Sequence, residues 1–392
     1  MARVEKYIDR EAVRPDYKGR VKFDGASRPD EGLFADKLGF GMQGFCASPP
    51  AVMKDVLSRS QRPMAIRVKD LPSWTMPVTL FLSRDHAVRI KALCLYWEVT
   101  PGGTTRIVDS KRMVNADGDE VWYVHYGAFL CETSFGILRA GRGDYLYIPR
   151  LTEYCIRPML EHTLMIGIES PQPLLKPVHD GLPDVPYNQL DLKVPELSSA
   201  EPLYQEREVM LKRNDEWKTV VYNGPVGRIA YRGSPYPFVL CTDLIHAVST
   251  PTMHTDPSIF ATFATADGSI VVSTFKPRWI HSPPYYHMNE WDEFLFYAKP
   301  YRPRAGLVGA GDATFHPQGF YHGPQEMNVR FGNGESRPQD ALWVDELAIM
   351  FETRALLDPT DAALSKIEIP DYWRSWQKAW DAHKEVMAMM KK

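Results

Sequence analysis

The stretch GDATFHPQGFYH, residues 311–322, sets a frame that the chain uses twice. It reads as Gly311, five residues, Pro317, one residue, Gly319, two residues and His322. Residues 143–154, GDYLYIPRLTEY, repeat it as Gly143, five residues, Pro149, one residue, Leu151, two residues and Tyr154. A strand-like segment containing a histidine lies upstream of each, VWYVHYGAFLCETSFG in the first half and YYHMNEWDEF in the second. A frame that recurs across such a distance points to internal duplication. Only the second copy ends in histidine.

Outward from the frame, the chain breaks into short apolar segments such as IRVKDL, ALCLYWEVT, EVWYVHYGAFLCET, TVVYNG and SIVVSTF. Their β-branched and aromatic content, with 32 prolines and 26 glycines punctuating them, predicts an all-β sandwich or barrel rather than alternating helices and strands. Helical spacing is confined to the end. There DPTDAALSKI and DYWRSWQKAWDAHKEVMAMMKK lack interior proline and glycine, and Trp373, Trp376 and Trp380 share a helical face, with Asp371 as the expected N-cap. Residues 169–202 are proline-rich and read as a connection between halves. The expected organisation is an N-terminal β-domain over 1–168, a connecting segment over 169–202, a second β-domain over 203–350 and a helical extension over 351–392.

Composition narrows the partners. At 392 residues, 44% hydrophobic and 24% charged, the chain can bury a large core. Its net charge of −3 is spread without a basic face, which argues against nucleic acid, and no polybasic segment advertises an anionic membrane. No run approaches the roughly 18 apolar residues of a membrane span, and the polar start suggests no leader, so a cytoplasmic location is expected. The five cysteines are scattered and lack a C-x-x-C pair, which predicts neither a disulfide framework nor a thiolate zinc site.

Chemistry concentrates in PPYYHMNEWDEFLFY, residues 283–297, and in the frame that follows. The frame resembles that of cupins, small β-barrels whose first motif carries histidines and a glutamate and whose second ends in histidine. The resemblance places metal ligands at His287, Glu293 and His322, with Asn289 where many cupins carry another histidine. Two imidazoles and one carboxylate cancel one charge of a divalent ion and leave coordination positions open, as in non-haem iron(II) oxygenases. Zinc accepts the same donors. His316 reads as a pocket or supporting residue, or as a turn cap. Tyr285, Tyr286, Tyr297 and Tyr321 are candidates for substrate hydroxyls or simply for wall and core.

The blocks PRWIHSPPYYHMNEWDEF, HPQGFYHGP and TMHTDPSIF resemble those of homogentisate 1,2-dioxygenases. Further matches are GLFADKL, GDYLYIPR, SPYPF and LAIMFETRALL, so the likeness spans nearly the whole chain. It implies Fe(II), dioxygen and a hydroxylated aromatic acid, with ring opening to a maleyl-type product, and a homo-oligomer, trimer or hexamer. It assigns proton transfer to His254, for which bonding to Asp256 is the structural alternative, and a pocket role to His316. Departures concern the substrate: the family's GxGN opening is missing, and LFYAKPYRPRAGLVGAGDAT, residues 295–314, replaces the segment that supplies a tyrosine and a lysine. Tyr301 stands near the former, and Arg302 or Arg304 near the latter, an exchange that changes how a carboxylate is held. A related phenolic substrate, or an oxygen-independent metal-dependent isomerase or hydrolase on the same barrel, is the alternative.

Overall fold

The computed structural model describes residues 43–46, 58, 62–99, 103, 105–177, 186–196, 205–224, 233, 235–245, 261–280, 286–301, 304, 306–323, 325–326 and 342–389. In chain order, the principal strands begin with β1 (Met64–Ile66), β2 (Val78–Ser83), β3 (Arg89–Tyr96), β4 (Met113–Asn115), β5 (Asp119–Tyr126), β6 (Ala128–Thr133) and β7 (Gly136–Gly141). They continue with β8 (Asp144–Ile148), β9 (Glu153–Pro158), β10 (His162–Ser170), β11 (Gln205–Arg213), β12 (Glu216–Gly224) and β13 (Phe238–Cys241). The remainder are β14 (Ala261–Ala264), β15 (Ile270–Phe275), β16 (Asp292–Tyr297), β17 (Ala313–His316), β18 (Ala348–Thr353) and β19 (Leu357–Pro359). A single-turn 3-10 segment, Tyr372–Arg374, then leads into the helix α1 (Ser375–Met389). The described residues make an all-β protein with a C-terminal helix.

Two compact units result. The first comprises Val68–Ile245 with Leu357–Ser365. Its sheets run β7-β6-β9-β4-β11-β12 and β13-β8-β5-β10-β3-β2-β19. In β6 every second side chain, Phe129, Cys131 and Thr133, is buried, the period-2 signature of a half-buried strand. These meet Trp122, Val124, Leu146, Ile148 and Met165 of the other sheet in one core. The residues 169–202, expected as a connection between halves, belong to this unit where described: Lys193 and Val239 exchange backbone hydrogen bonds of 2.9 Å, as do Ile137 and Glu196 at 2.9 and 2.8 Å. Strands β11, β12 and β13 also join its sheets, so it extends beyond the boundary expected at 202. Long-range strand pairing, which no local pattern signals, makes the difference.

The second unit contains the described residues of 1–67, 246–356 and 366–392. Its main sheet runs β14-β15-β18-β16-β17-β1. Two small ribbons pair Gln43–Cys46 with Tyr286–Asn289 and Arg278–Ile280 with Leu342–Val344. Tyr372 and Trp376 of the C-terminal segment pack on Ala65, Leu307, Val308 and Phe320. The helix buries Trp376, Ala379 and Ala382, one face at helical spacing. Asp371 does not cap it: its φ is 56°, it makes no capping hydrogen bond through its side chain, and the helix begins only at Ser375.

The duplicated frame folds the same way in both units. Gly143 and Gly311 take φ of 88° and 83°, and their amides donate to Val124 O at 2.9 Å and Tyr297 O at 2.8 Å. Asp144 and Asp312 accept from the amides of Gly141 at 3.0 Å and Gly309 at 2.8 Å. After each strand, Asp119 and Asp292 accept from the amides of Arg150 at 2.9 Å and Gln318 at 2.8 Å. Gly319 has φ of 75°, and at its counterpart Leu151 is forced to 64°. A side chain in this left-handed region costs about 1–2 kcal/mol, and Leu151 is exposed, so little packing offsets it. Leu151→Gly is therefore expected to stabilise the protein by up to about 1 kcal/mol after the glycine's extra unfolded-state entropy is deducted. The midpoint of urea unfolding reports it, and a lower midpoint would remove the strain argument.

Among the described residues, no helix is long and apolar enough to cross a membrane. Cys94, Cys131, Cys155 and Cys241 are free thiols.

Candidate metal centre

Adjacent strands bring the donors together. Glu293 on β16 stands opposite His316 on β17 in the antiparallel register. The turn after β17, closed by Phe320 N–H donating to Pro317 O at 3.2 Å, folds the chain back. His322 thereby lies against His316, with ring centroids 4.3 Å apart and planes 8° from parallel. One ligand atom from each of Glu293, His316 and His322 falls within 4.8 Å of the others, and all three residues are buried.

The tautomer of His322 follows from its surroundings. Its Nδ1 lies 3.0 Å from Phe320 O, and a carbonyl can only accept, so Nδ1 carries the proton. In the neutral ring Nε2 then presents a lone pair, and it lies 2.6 Å from Glu293 Oε2. Two lone pairs cannot face each other at that distance, so the contact requires a bridging proton, which a metal ion would displace. His316 Nδ1 points to the same carboxylate oxygen from 3.7 Å, beyond hydrogen-bonding reach. Burial, reinforced by the neighbouring His322, holds His316 well below the usual imidazole range, so it presents a neutral ring. A carboxylate and two imidazoles with converging donor atoms fit a divalent metal.

Sequence reading placed His316 in a pocket or supporting role, and the structure brings it into the donor group itself. His287 is on the Tyr286–Asn289 strand, opposite Phe45, but its side chain and that of Tyr286 lie outside the described residues. His254 and Arg302 also lie outside them. Tyr301 is packed in the second unit's core, 5.4 Å from Tyr297 and 6.2 Å from Phe275 by ring centroids. Arg304, a candidate to hold a substrate carboxylate, is buried and donates from its guanidinium to Gly323 O, next to His322. Burial works against its charge, but the hydroxyls of Tyr372, Tyr297 and Tyr301 and the carboxylate of Glu293 keep it firmly protonated.

Tyr372 is the residue that sequence reading missed. Its hydroxyl lies 3.1 Å from His316 Nε2, and Trp376 meets the same imidazole edge-on with centroids 5.9 Å apart. The aromatic run DYWRSW was read as a packing helix, and nothing local distinguishes a packing tyrosine from one that fixes an imidazole some 56 residues earlier in the chain. Partners that orient a metal ligand typically affect affinity by about 10–100-fold. Tyr372→Phe is expected to weaken divalent-metal retention by about tenfold with little change in thermal midpoint. Chelator competition measures this, and unchanged retention would reduce Tyr372 to packing.

Residues 243–383 match the family model described as "Homogentisate 1,2-dioxygenase C-terminal". A provisionally named dioxygenase of Saccharolobus solfataricus is 32% identical over 274 residues, which are 67% of this chain and 69% of that protein. Homogentisate 1,2-dioxygenase of Dictyostelium discoideum is 23% identical over 314 residues, 71% of this chain and 68% of that one. A solved cupin 2 conserved barrel domain protein from Leptotrichia buccalis aligns over 77% of this chain and 99% of its own, at 10% identity and a TM-score of 0.32. With the frame, the donor set and these relatives in agreement, the chain belongs to the homogentisate 1,2-dioxygenase family of dioxygenases.

Proposed function

We propose that the chain is an iron(II)-dependent dioxygenase that opens the ring of homogentisate or a similar hydroxylated aromatic acid of the para-diol type. The observation that carries this reading is the buried convergence of Glu293, His316 and His322, with ligand atoms within 4.8 Å of one another, in a chain of this family. Both atoms of dioxygen enter the product, so the reaction requires no external reductant.

In this reading His287, Glu293 and His322 hold the metal, with His316 as a further converging donor. Bound there, iron(II) supplies the electron transfer that couples an electron-rich ring to dioxygen. Glu293 offsets one of the two charges and leaves the site cationic, which favours a phenol as its phenolate. The Phe320 carbonyl fixes His322 so that Nε2 faces inward. The proton of the substrate hydroxyl needs an acceptor that titrates near neutrality, the role of His254. Burial of the donors keeps bulk water away from the reacting ring. Tyr301 and Tyr286 are the candidates to meet the substrate hydroxyl, and Arg304 is the candidate cation for its carboxylate.

Oxygen uptake by anaerobically iron-loaded protein tests the reading, run against homogentisate, gentisate, hydroquinone and homoprotocatechuate with an ultraviolet spectrum of each product. Stoichiometric uptake with a new dioxo-acid chromophore on one substrate is expected. His254→Ala is expected to keep its iron and lose turnover by about 10²–10⁴-fold, the usual worth of a proton-transfer group. Turnover that proceeds without oxygen would replace this reading with the isomerase or hydrolase.

A further inference from the structure

The shared hydrogen bonds of the duplicated frame allow the two copies to be matched position by position. Strand β5 answers to β16 and β8 to β17, so Glu120, opposite Ile148, answers to Glu293, opposite His316. Three residues beyond Leu151 and Gly319, Tyr154 answers to His322 through the frame itself. Glu120 is also opposite Glu169 on β10, as Glu293 is opposite Glu352 on β18. Counting back along those strands, Lys91, opposite Gly167, answers to Ser273, opposite Met350.

The two centres differ in what faces the central carboxylate. Glu120 Oε2 accepts a hydrogen bond of 2.7 Å from the Tyr154 hydroxyl, a donor where His322 offers a lone pair. Glu120 Oε1 receives the Lys91 ammonium, and Asn115 Nδ2 at 3.3 Å. The same ammonium lies 2.8 Å from Glu169 Oε2 and 5.1 Å above the Trp122 ring. Lys91, Glu120 and Glu169 are 3%, 1% and 0% exposed, so the ammonium has left water entirely and its hydration is supplied by these groups. In the second unit Ser273 is equally buried, and its short side chain makes no hydrogen bond among the described residues.

We propose that the first unit's centre is a cation site whose cation is built into the chain. The Lys91 ammonium occupies the place that a divalent ion takes in the second copy, and the surrounding oxygens will hold a hard divalent ion once that ammonium is removed. The inference rests on reading the second copy as a metal site. Charge supports it. Three cations, Arg89, Lys91 and Lys212, face the carboxylates of Glu120, Glu169, Asp117 and Asp215. Removing Lys91 leaves four carboxylates against two cations, an excess that one divalent ion neutralises. Two carboxylates and a phenol are oxygen donors of the kind that manganese, magnesium and calcium accept.

The test is to strip the full-length protein with chelator and titrate it with Mn²⁺ alone, counting bound ions by equilibrium dialysis. Lys91→Ser gives the first copy the residue of the second. Expected counts are one ion per chain for wild type, none for His322→Ala, two for Lys91→Ser and one for Lys91→Ser/His322→Ala. Wild-type protein that binds two ions, or Lys91→Ser that binds no more than wild type, overturns the proposal. Retention of the ion by His322→Ala would overturn the second-copy metal reading instead, since the extra ion gained with Lys91→Ser is counted separately. If Lys91→Ser is unfolded when stripped, Mn²⁺ is expected to fold it, whereas Lys91→Met/Glu120→Gln, with both charges gone, is expected to fold without the ion and bind one. Failure of Lys91→Ser to fold at any Mn²⁺ concentration also overturns the proposal.

Discussion

Glu293→Gln is expected to bind no divalent metal and to lose at least about 10³-fold in turnover while remaining folded. The substitution keeps the shape of the side chain and removes the charge that draws the ion in. Metal-assisted charge stabilisation is worth several kcal/mol, and about 4 kcal/mol corresponds to three orders of magnitude in rate. The metal-free variant should unfold close to metal-free wild type, because the glutamine amide can donate to His322 Nε2 across the same 2.6 Å contact. Plasma mass spectrometry of the purified protein and a thermal scan give both answers. Wild-type metal content in the variant would remove Glu293 from the ligand set.

The largest loss of stability is expected at the other centre, with Glu169→Ala. Its carboxylate accepts from Arg89 at 2.7 Å and Lys91 at 2.8 Å, and also pairs with Lys212. Removing it leaves three buried cations with one carboxylate fewer, and breaking a buried pair costs about 3–5 kcal/mol. Arg157→Ala, which breaks a half-exposed pair with Glu132, is expected to cost no more than about 1 kcal/mol. Urea unfolding of the two variants separates the cases, and equal losses would refute the special status of the buried network.

The same carboxylate sets an acid limit. Burial would raise the Glu169 pKa, but Lys91, Lys212 and Arg89 outweigh it and lower it from 4.5 to about 2. The unfolded chain therefore takes up a proton first as pH falls. Stability from this group is complete above the ordinary carboxylate range and declines as pH drops from about 4.5 towards 2.

The parts of the fold legible in sequence were those written within a dozen residues. Gly311 to His322 specified a strand, a left-handed turn and a returning histidine because each step is local, and the counterpart from Gly143 to Tyr154 specified the same path. Lys91 and Lys212, by contrast, carry no local sign of burial, since the carboxylate that buries them is 78 and 43 residues away in sequence. Strands β11 to β13 were placed with the wrong half for a related reason: pairing such as β11 on β4, parallel and about a hundred residues apart, leaves no periodic trace. Tyr372 was invisible as a site residue for lack of any local pattern.

The turn that aims His322 closes through a carbonyl, an amide and the Asp292 carboxylate. Its twin in the first unit, with Asp119 in the same place, closes identically around a tyrosine. Neither loop depends on an ion to hold its shape. Loading is thus an equilibrium superimposed on a finished scaffold, and the apoprotein and the holoprotein should interconvert with the same far-ultraviolet circular dichroism.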